Sequence, residues 1–259
     1  MPISGLRRIL VVTMPRPTAA AVRAFRVDRR RIGSVRERLL RWASSEGRTF
    51  AWRDPAIPPF SVLVCEILLA KTRAEVAAPV AAKLLARYPT AQVLARARAR
   101  DLETLLFPLG LHRKRARHLR ACAKDLVARF DGNVPASIPE LLSLPYVGRY
   151  AANAIACVAF NSAVPVVDAN VARVYGRLFS LPPPPPRLAS ADELWNLAAR
   201  VLPKDRAKDF NWALLDLGSL ICTPKSPACA QCPLARQCDQ YRVTRPPRAR
   251  PRRVVLKTK

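Results

Sequence analysis

Four of the seven cysteines, Cys222, Cys229, Cys232 and Cys238, fall within 17 residues in the pattern C-x6-C-x2-C-x5-C. Thiolates drawn together on one short loop bind either zinc or a [4Fe-4S] cluster, and thiolate chemistry by itself does not choose between them. Pro224, Pro227 and Pro233 tighten this loop, which follows directly on a helical pattern. Disulfides are disfavoured in a reducing cytosol. Cys65, Cys122 and Cys157 are scattered through helical segments and read as small core residues.

Two carboxylates also stand out by position. Glu66 shares a helical face with Val62, Leu63, Leu69 and Ala70, at offsets of three and four, so an acid projects from an apolar stripe. Burial there raises its pKa and suits it to giving a proton, or holding a water, near neutral pH. Asp168 ends the apolar run Val-Pro-Val-Val and precedes a helix over 169–179, so from its position alone it reads as an N-cap.

Between the acids lies Pro139-Glu-Leu-Leu-Ser-Leu-Pro-Tyr-Val-Gly-Arg-Tyr150, two helices joined by the turn Leu144-Pro145-Tyr146-Val147-Gly148. Gly148 supplies a position without Cβ, and the free amides that open the next helix, from Arg149, can hold a phosphate. Lys71-Thr72-Arg73 follow the Glu66 helix, where a basic helix end also complements the helix dipole.

These residues need a mostly helical frame. Apolar periodicity predicts helices near 34–46, 59–71, 75–87, 112–130, 149–160, 169–179, 190–202 and 207–220, with prolines between many of them and no alternating run long enough to build a sheet. Pro182–Pro186 is expected to be an exposed extended loop. A chain of 259 residues supports one or two domains.

Net charge is +27, from 45 Lys and Arg against 18 Asp and Glu. Such an excess matches a polyanionic partner, with nucleic acid first and an anionic membrane surface second. The arginine-rich ends, 1–31 and 241–259, contribute +15 of this, so the body of the chain is basic as well. No apolar stretch approaches the ~20 residues of a membrane span. The expectation is a soluble cytoplasmic, nucleoid-associated monomer that binds double-stranded DNA.

The order of hairpin, acid at a helix start and four-cysteine loop resembles the helix-hairpin-helix (HhH-GPD) DNA glycosylase superfamily of endonuclease III, over roughly residues 34–240. Within it the chain looks closest to the branch of the adenine glycosylase MutY and the mismatch thymine glycosylase Mig. Phe50-Ala51-Trp52-Arg53, Val64-Cys65-Glu66-Ile67-Leu68-Leu69, Asp168-Ala169-Asn170-Val171 and the segment from Asp209 to Asp216 carry that likeness.

The resemblance implies a six-helix barrel domain over 58–165 and a [4Fe-4S] cluster domain over 32–57 and 166–240. The ends, 1–31 and 241–259, are then a flexible basic extension and a disordered tail. It implies Asp168, Glu66 and Tyr150 as catalytic residues, and Cys222, Cys229, Cys232 and Cys238 as cluster ligands. The DNA contacts it implies are Lys71, Thr72, Arg73, Leu144, Tyr146, Val147, Gly148 and Arg149.

The implied reaction is hydrolysis of the bond between deoxyribose and a mispaired base flipped from the duplex. Relatives that also cut the strand carry a lysine where this chain has Tyr150, so no lyase activity is expected. A Gln-Gln-Thr segment of the adenine branch is replaced by Ala70-Lys71-Thr72, which favours thymine or uracil opposite guanine. Adenine opposite 8-oxoguanine is the alternative, and a non-catalytic iron-sulfur DNA-binding protein is the alternative of another class. Tyr146 departs from the family, standing where glycine is usual.

Overall fold

The computed structural model describes residues 28–186 and 188–244, and these contain no strand. Twelve α-helices follow in order: α1 (Arg29–Glu46), α2 (Pro59–Leu69), α3 (Ala74–Arg87), α4 (Ala91–Ala95), α5 (Ala99–Leu106), α6 (His112–Phe130), α7 (Ile138–Ser143), α8 (Arg149–Phe160), α9 (Ala169–Phe179), α10 (Asp192–Val201), α11 (Ala207–Leu220) and α12 (Asp239–Thr244). No helix among the described residues is long and apolar enough to cross a membrane. Pro182–Pro186 is exposed and irregular, joining α9 to α10.

The apolar residues gather in two cores. One is built from Trp52 and α2 through α8, with Leu63, Leu68, Leu84, Leu102, Leu119 and Leu126 fully buried. The other joins Ile32, Val35 and Leu39 of α1 to α9, α10 and α11, around Tyr175, Trp195 and Phe210. Helix α8 serves both: Ala152, Ile155 and Ala156 face the first core, and Ala154 and Cys157 the second. Its alanines make this possible, because small side chains let helices approach on every side without leaving a void. The arrangement carries the start of α8, and Tyr150 with it, to the seam between the cores.

Helices reach into the inner edges of the two basic terminal segments. Arg29–Arg31 belong to α1, whose first turn is capped by the Asp28 carboxylate accepting from the Arg30 N–H (3.1 Å). Arg31 donates to the carbonyls of Leu178 (2.6 Å) and Gln237 (2.5 Å) and pairs with Asp239 (2.9 Å), so it ties α1 to the segment beyond the cysteine loop. Residues 241–244 likewise lie in α12. The inner edges of the basic extension and of the tail thus lie in helices, and the Arg31 guanidinium satisfies helix-end carbonyls between them. Residues 1–27 and 245–259 lie outside the described residues. Helices α4 and α5 were also not expected; at five and eight residues they are too short for a clear period.

Candidate active site

A cleft of about 810 Å³ opens at the seam, lined from both cores by Arg53, Glu66, Lys71, Tyr150, Asp168 and Trp212 among others. Glu66 reaches it from α2, an otherwise apolar helix whose Val62, Leu63, Val64, Cys65 and Leu68 are buried. The Tyr150 hydroxyl donates to the Glu66 carboxylate. The other Glu66 oxygen, Oε2, is buried and has no hydrogen-bond partner within the protein. Burial, reinforced by the nearby Asp168 charge and only partly offset by Tyr150, pushes Glu66 up to about 7.

Asp168 does two things at once. Its Oδ1 accepts from the Val171 N–H (2.7 Å), capping α9, and its Oδ2 accepts from Asn170 Nδ2 (2.8 Å). Burial raises its pKa, while the Val171 and Asn170 donors and the Arg173 guanidinium work against that rise. Two carboxylates thus face one cleft in unequal surroundings: Glu66 has one donor and an apolar helix, and Asp168 has a helix N-terminus. Such inequality of surroundings is what sets two carboxylates apart in the roles they take. The Tyr150 phenol is held well above its ordinary pKa, first by burial and then by the two acids, and so remains a donor.

The frame around the acids rests on arginines that sequence reasoning did not single out. Asp216, 1% exposed, accepts from Arg53 Nη1 (2.7 Å) and Nη2 (2.8 Å), from Arg48 Nε (2.7 Å) and from the Arg48 N–H (2.9 Å). Burial alone would raise its pKa, but the two guanidinium groups hold it below the usual carboxylate range. Arg53 also lies over Trp212 (5.3 Å) and Phe50 (5.5 Å), where cation–π attraction fixes it at the cleft wall.

Arg115, buried in α6, donates to the carbonyls of Ile67 (3.1 Å), Leu68 (2.8 Å) and Ala70 (2.9 Å) and to Thr72 Oγ1 (2.6 Å). It satisfies the orphan carbonyls that end α2 and so holds the segment after Glu66 in place. One signal for it was present: Arg115 shares a face with Leu119, Cys122 and Leu126, at offsets of four, seven and eleven.

The expected DNA contacts divide. Lys71, Thr72, Arg73, Tyr146 and Gly148 line the cleft. Leu144 and Val147 are buried in the first core and do not line the cleft. Arg149 is turned away: it pairs with Asp192 (2.7 Å) and lies over Trp195 (4.4 Å), fastening α8 to α10. A Cβ built on Gly148 would meet nothing within 4 Å, so this backbone is open to a close approach.

Cys222 follows α11 and Cys238 precedes α12, with Cys229 and Cys232 between. Burial raises the Cys232 thiol to about 11, and Cys222, Cys238 and Cys229 add to that rise, so the four are neighbours. Arg177 Nη1 lies 3.4 Å from Cys222 Sγ and donates to the Thr223 carbonyl (2.7 Å). Among the described residues no three His, Cys, Asp or Glu side chains are grouped as the ligands of one ion would be.

A profile described as "HhH-GPD superfamily base excision DNA repair protein" matches residues 64–200. The thymine-DNA glycosylase of Aeropyrum pernix is 37% identical over 218 residues, which are 83% of this chain and 97% of that protein. The adenine DNA glycosylase of Homo sapiens is 33% identical over 243 residues, 91% of this chain and 44% of that protein. Among solved structures, a thermostable thymine-DNA glycosylase superposes with a TM-score of 0.76 at 27% identity, covering 83% of this chain and 98% of that one. A non-covalent complex of endonuclease III with DNA superposes at 0.70 with 25% identity, covering 82% and 97%.

Proposed function

The chain belongs to the HhH-GPD superfamily of base excision DNA repair proteins, and from that premise we propose that it is a monofunctional DNA glycosylase removing thymine or uracil mispaired with guanine. The observation that carries the proposal is the grouping of Glu66, Tyr150 and Asp168 in one cleft, with Glu66 Oε2 buried and unpartnered. A displaced base entering the cleft meets a carboxyl group whose pKa, raised to about 7, leaves a substantial fraction protonated at neutral pH. Glu66 gives that proton to the departing base, the Tyr150 hydroxyl holds the Glu66 carboxylate in register, and Asp168 stabilises the positive charge that develops on the sugar until water adds at C1′, losing its proton and leaving an abasic sugar. Flipping costs least at a mismatch, which contributes to selectivity.

Incubation with duplexes bearing T·G, U·G, A·8-oxoguanine or thymine glycol, followed by alkali, is the decisive experiment. Strand breaks at T·G and U·G are expected. Breaks only opposite 8-oxoguanine would favour the adenine reading, which the likeness to the adenine DNA glycosylase of Homo sapiens supports. No break in any duplex would leave a DNA-binding protein.

Tyr150 occupies the start of α8 at the cleft, where strand-cutting relatives carry the lysine that forms a Schiff base with the sugar, and Lys71 stands instead on the segment after α2. Borohydride is therefore expected to trap no covalent complex with DNA, and a trapped complex would refute the monofunctional assignment.

Cys222, Cys229, Cys232 and Cys238 fit a [4Fe-4S] cluster. They are four neighbouring thiols on one short loop, and four cysteine thiolates are the donor set that such a cluster takes. When bound, such a cluster ties the end of α11 to the start of α12 through thiolate–iron bonds. Purified protein is expected to absorb in the visible range and to lose several degrees of Tm when iron is removed. A colourless protein containing zinc would overturn the assignment.

A further inference from the structure

Tyr146 takes part in neither the acid chemistry nor the cysteine loop. Leu144–Val147 is a turn closed by the Val147 N–H donating to the Leu144 carbonyl (3.2 Å), with Pro145 second and Tyr146 third. Turns with proline second and a positive φ third favour glycine at that third place. Tyr146 nevertheless stands there with φ 67°. Burial does not account for it, because the residue is 55% exposed.

Its ring lies flat against His118, with centroids 3.6 Å apart and planes within 12°. Both rings line the cleft that holds Glu66 and Asp168. Burial first, then the charges of Lys114, Arg117 and Arg115, lower the His118 pKa, so the lower ring is neutral. An aromatic held in a strained backbone, backed by a second ring and more than half exposed, has the form of a ligand contact. Strain of this kind persists where function over-determines it.

We propose that the stacked Tyr146–His118 pair is a nucleobase-binding shelf at the mouth of the cleft, and that it contributes to affinity for duplexes whose pairing is disrupted. The inference rests on the glycosylase reading for its ligand, DNA, and not for the reaction. Stacking of a base on an aromatic side chain is sequence-tolerant, and losing it weakens binding by about 5- to 100-fold. The base is either the one displaced toward the acids or the partner left behind.

The test uses the full chain with a T·G duplex whose target sugar carries a 2′-fluorine to block excision. Binding is read by anisotropy, and 2-aminopurine is placed either at the target or opposite it. Tyr146→Gly is expected to melt within a few degrees of the wild type, because glycine suits this φ, yet to bind about 5- to 100-fold more weakly. Tyr146→Phe should keep the affinity. Wild-type protein and Tyr146→Phe should quench 2-aminopurine at one of the two positions, with quenching lost in Tyr146→Gly; the quenched position identifies the base.

Unchanged binding by Tyr146→Gly, quenching at neither position, or a large fall in its Tm would overturn the shelf. Excision by the wild type is scored separately on the unmodified duplex. Excision together with unchanged binding by Tyr146→Gly refutes the shelf alone, whereas no excision refutes the underlying reading.

Discussion

Replacing Asp168 with Asn lowers base excision on the order of 10³-fold while the protein stays folded, the scale expected when one preorganised charge or dipole is removed from a transition state. The two consequences separate because Asp168 acts through two features. As a cap, it needs only an oxygen that accepts from the Val171 N–H, and asparagine caps helices as well as aspartate. As a carboxylate facing the sugar it needs its charge, which asparagine lacks. One local cost follows, since the new amide meets the Asn170 Nδ2 donor in place of the Oδ2 that now accepts from it. That exchange costs about 1 kcal/mol. Asp168→Ala loses the cap as well and is expected to fall about a further 1 kcal/mol in stability. Single-turnover rates with melting curves check this, and an Asp168→Asn enzyme within tenfold of wild type would remove Asp168 from the reaction.

Glu66→Gln lowers the single-turnover rate by about 10²–10⁴-fold, the usual contribution of a positioned proton donor. Its pH profile carries the sharper signature. With Glu66 at about 7, the active protonated form is retained below neutrality and lost above it, so the wild-type rate falls tenfold per pH unit at high pH. The glutamine variant should lack that limb. Wild-type stability also falls as pH rises, over a lower window. Unfolding releases a proton from Glu66 between its ordinary pKa of 4.5 and about 7, so the folded state loses stability as pH rises through that window and recovers none above it. Glu66→Gln is therefore expected to melt higher than the wild type at pH 8, losing activity as it gains stability. Equal melting temperatures there would argue that Glu66 is well solvated.

Much of the site was readable along the chain because its determinants are local. Asp168 reads as a cap from the apolar run before it and the helix after it. Glu66 reads as a buried acid from the residues three and four positions away. The turn at Pro145 and the cysteine spacing are each complete within a few residues. The same locality explains the misses. The Arg48 and Arg53 bonds to Asp216 join residues 168 and 163 positions apart, and no periodic pattern connects them. Arg115 was hidden among the arginines of α6, although its place on the apolar stripe marked it as buried.

The side chains of Arg149, Leu144 and Val147 are committed within the protein for a related reason. A motif names positions, but packing decides which side chains face outward. Arg149 meets Asp192 and Trp195 only because α10 crosses the start of α8.

Residue types and near-neighbour spacing thus determined a helical protein with a thiolate loop, a hairpin and two acids of contrasting surroundings, because caps, turns and helical stripes depend on residues a few positions apart. Tertiary structure alone decided that Glu66, Tyr150 and Asp168 meet. The alanines of α8 let it serve two cores at once, and the seam between those cores brings α2, α8 and α9 into one cleft. The shift of Glu66 toward neutrality comes from that meeting, since desolvation and the charge of Asp168 act through space and not along the chain.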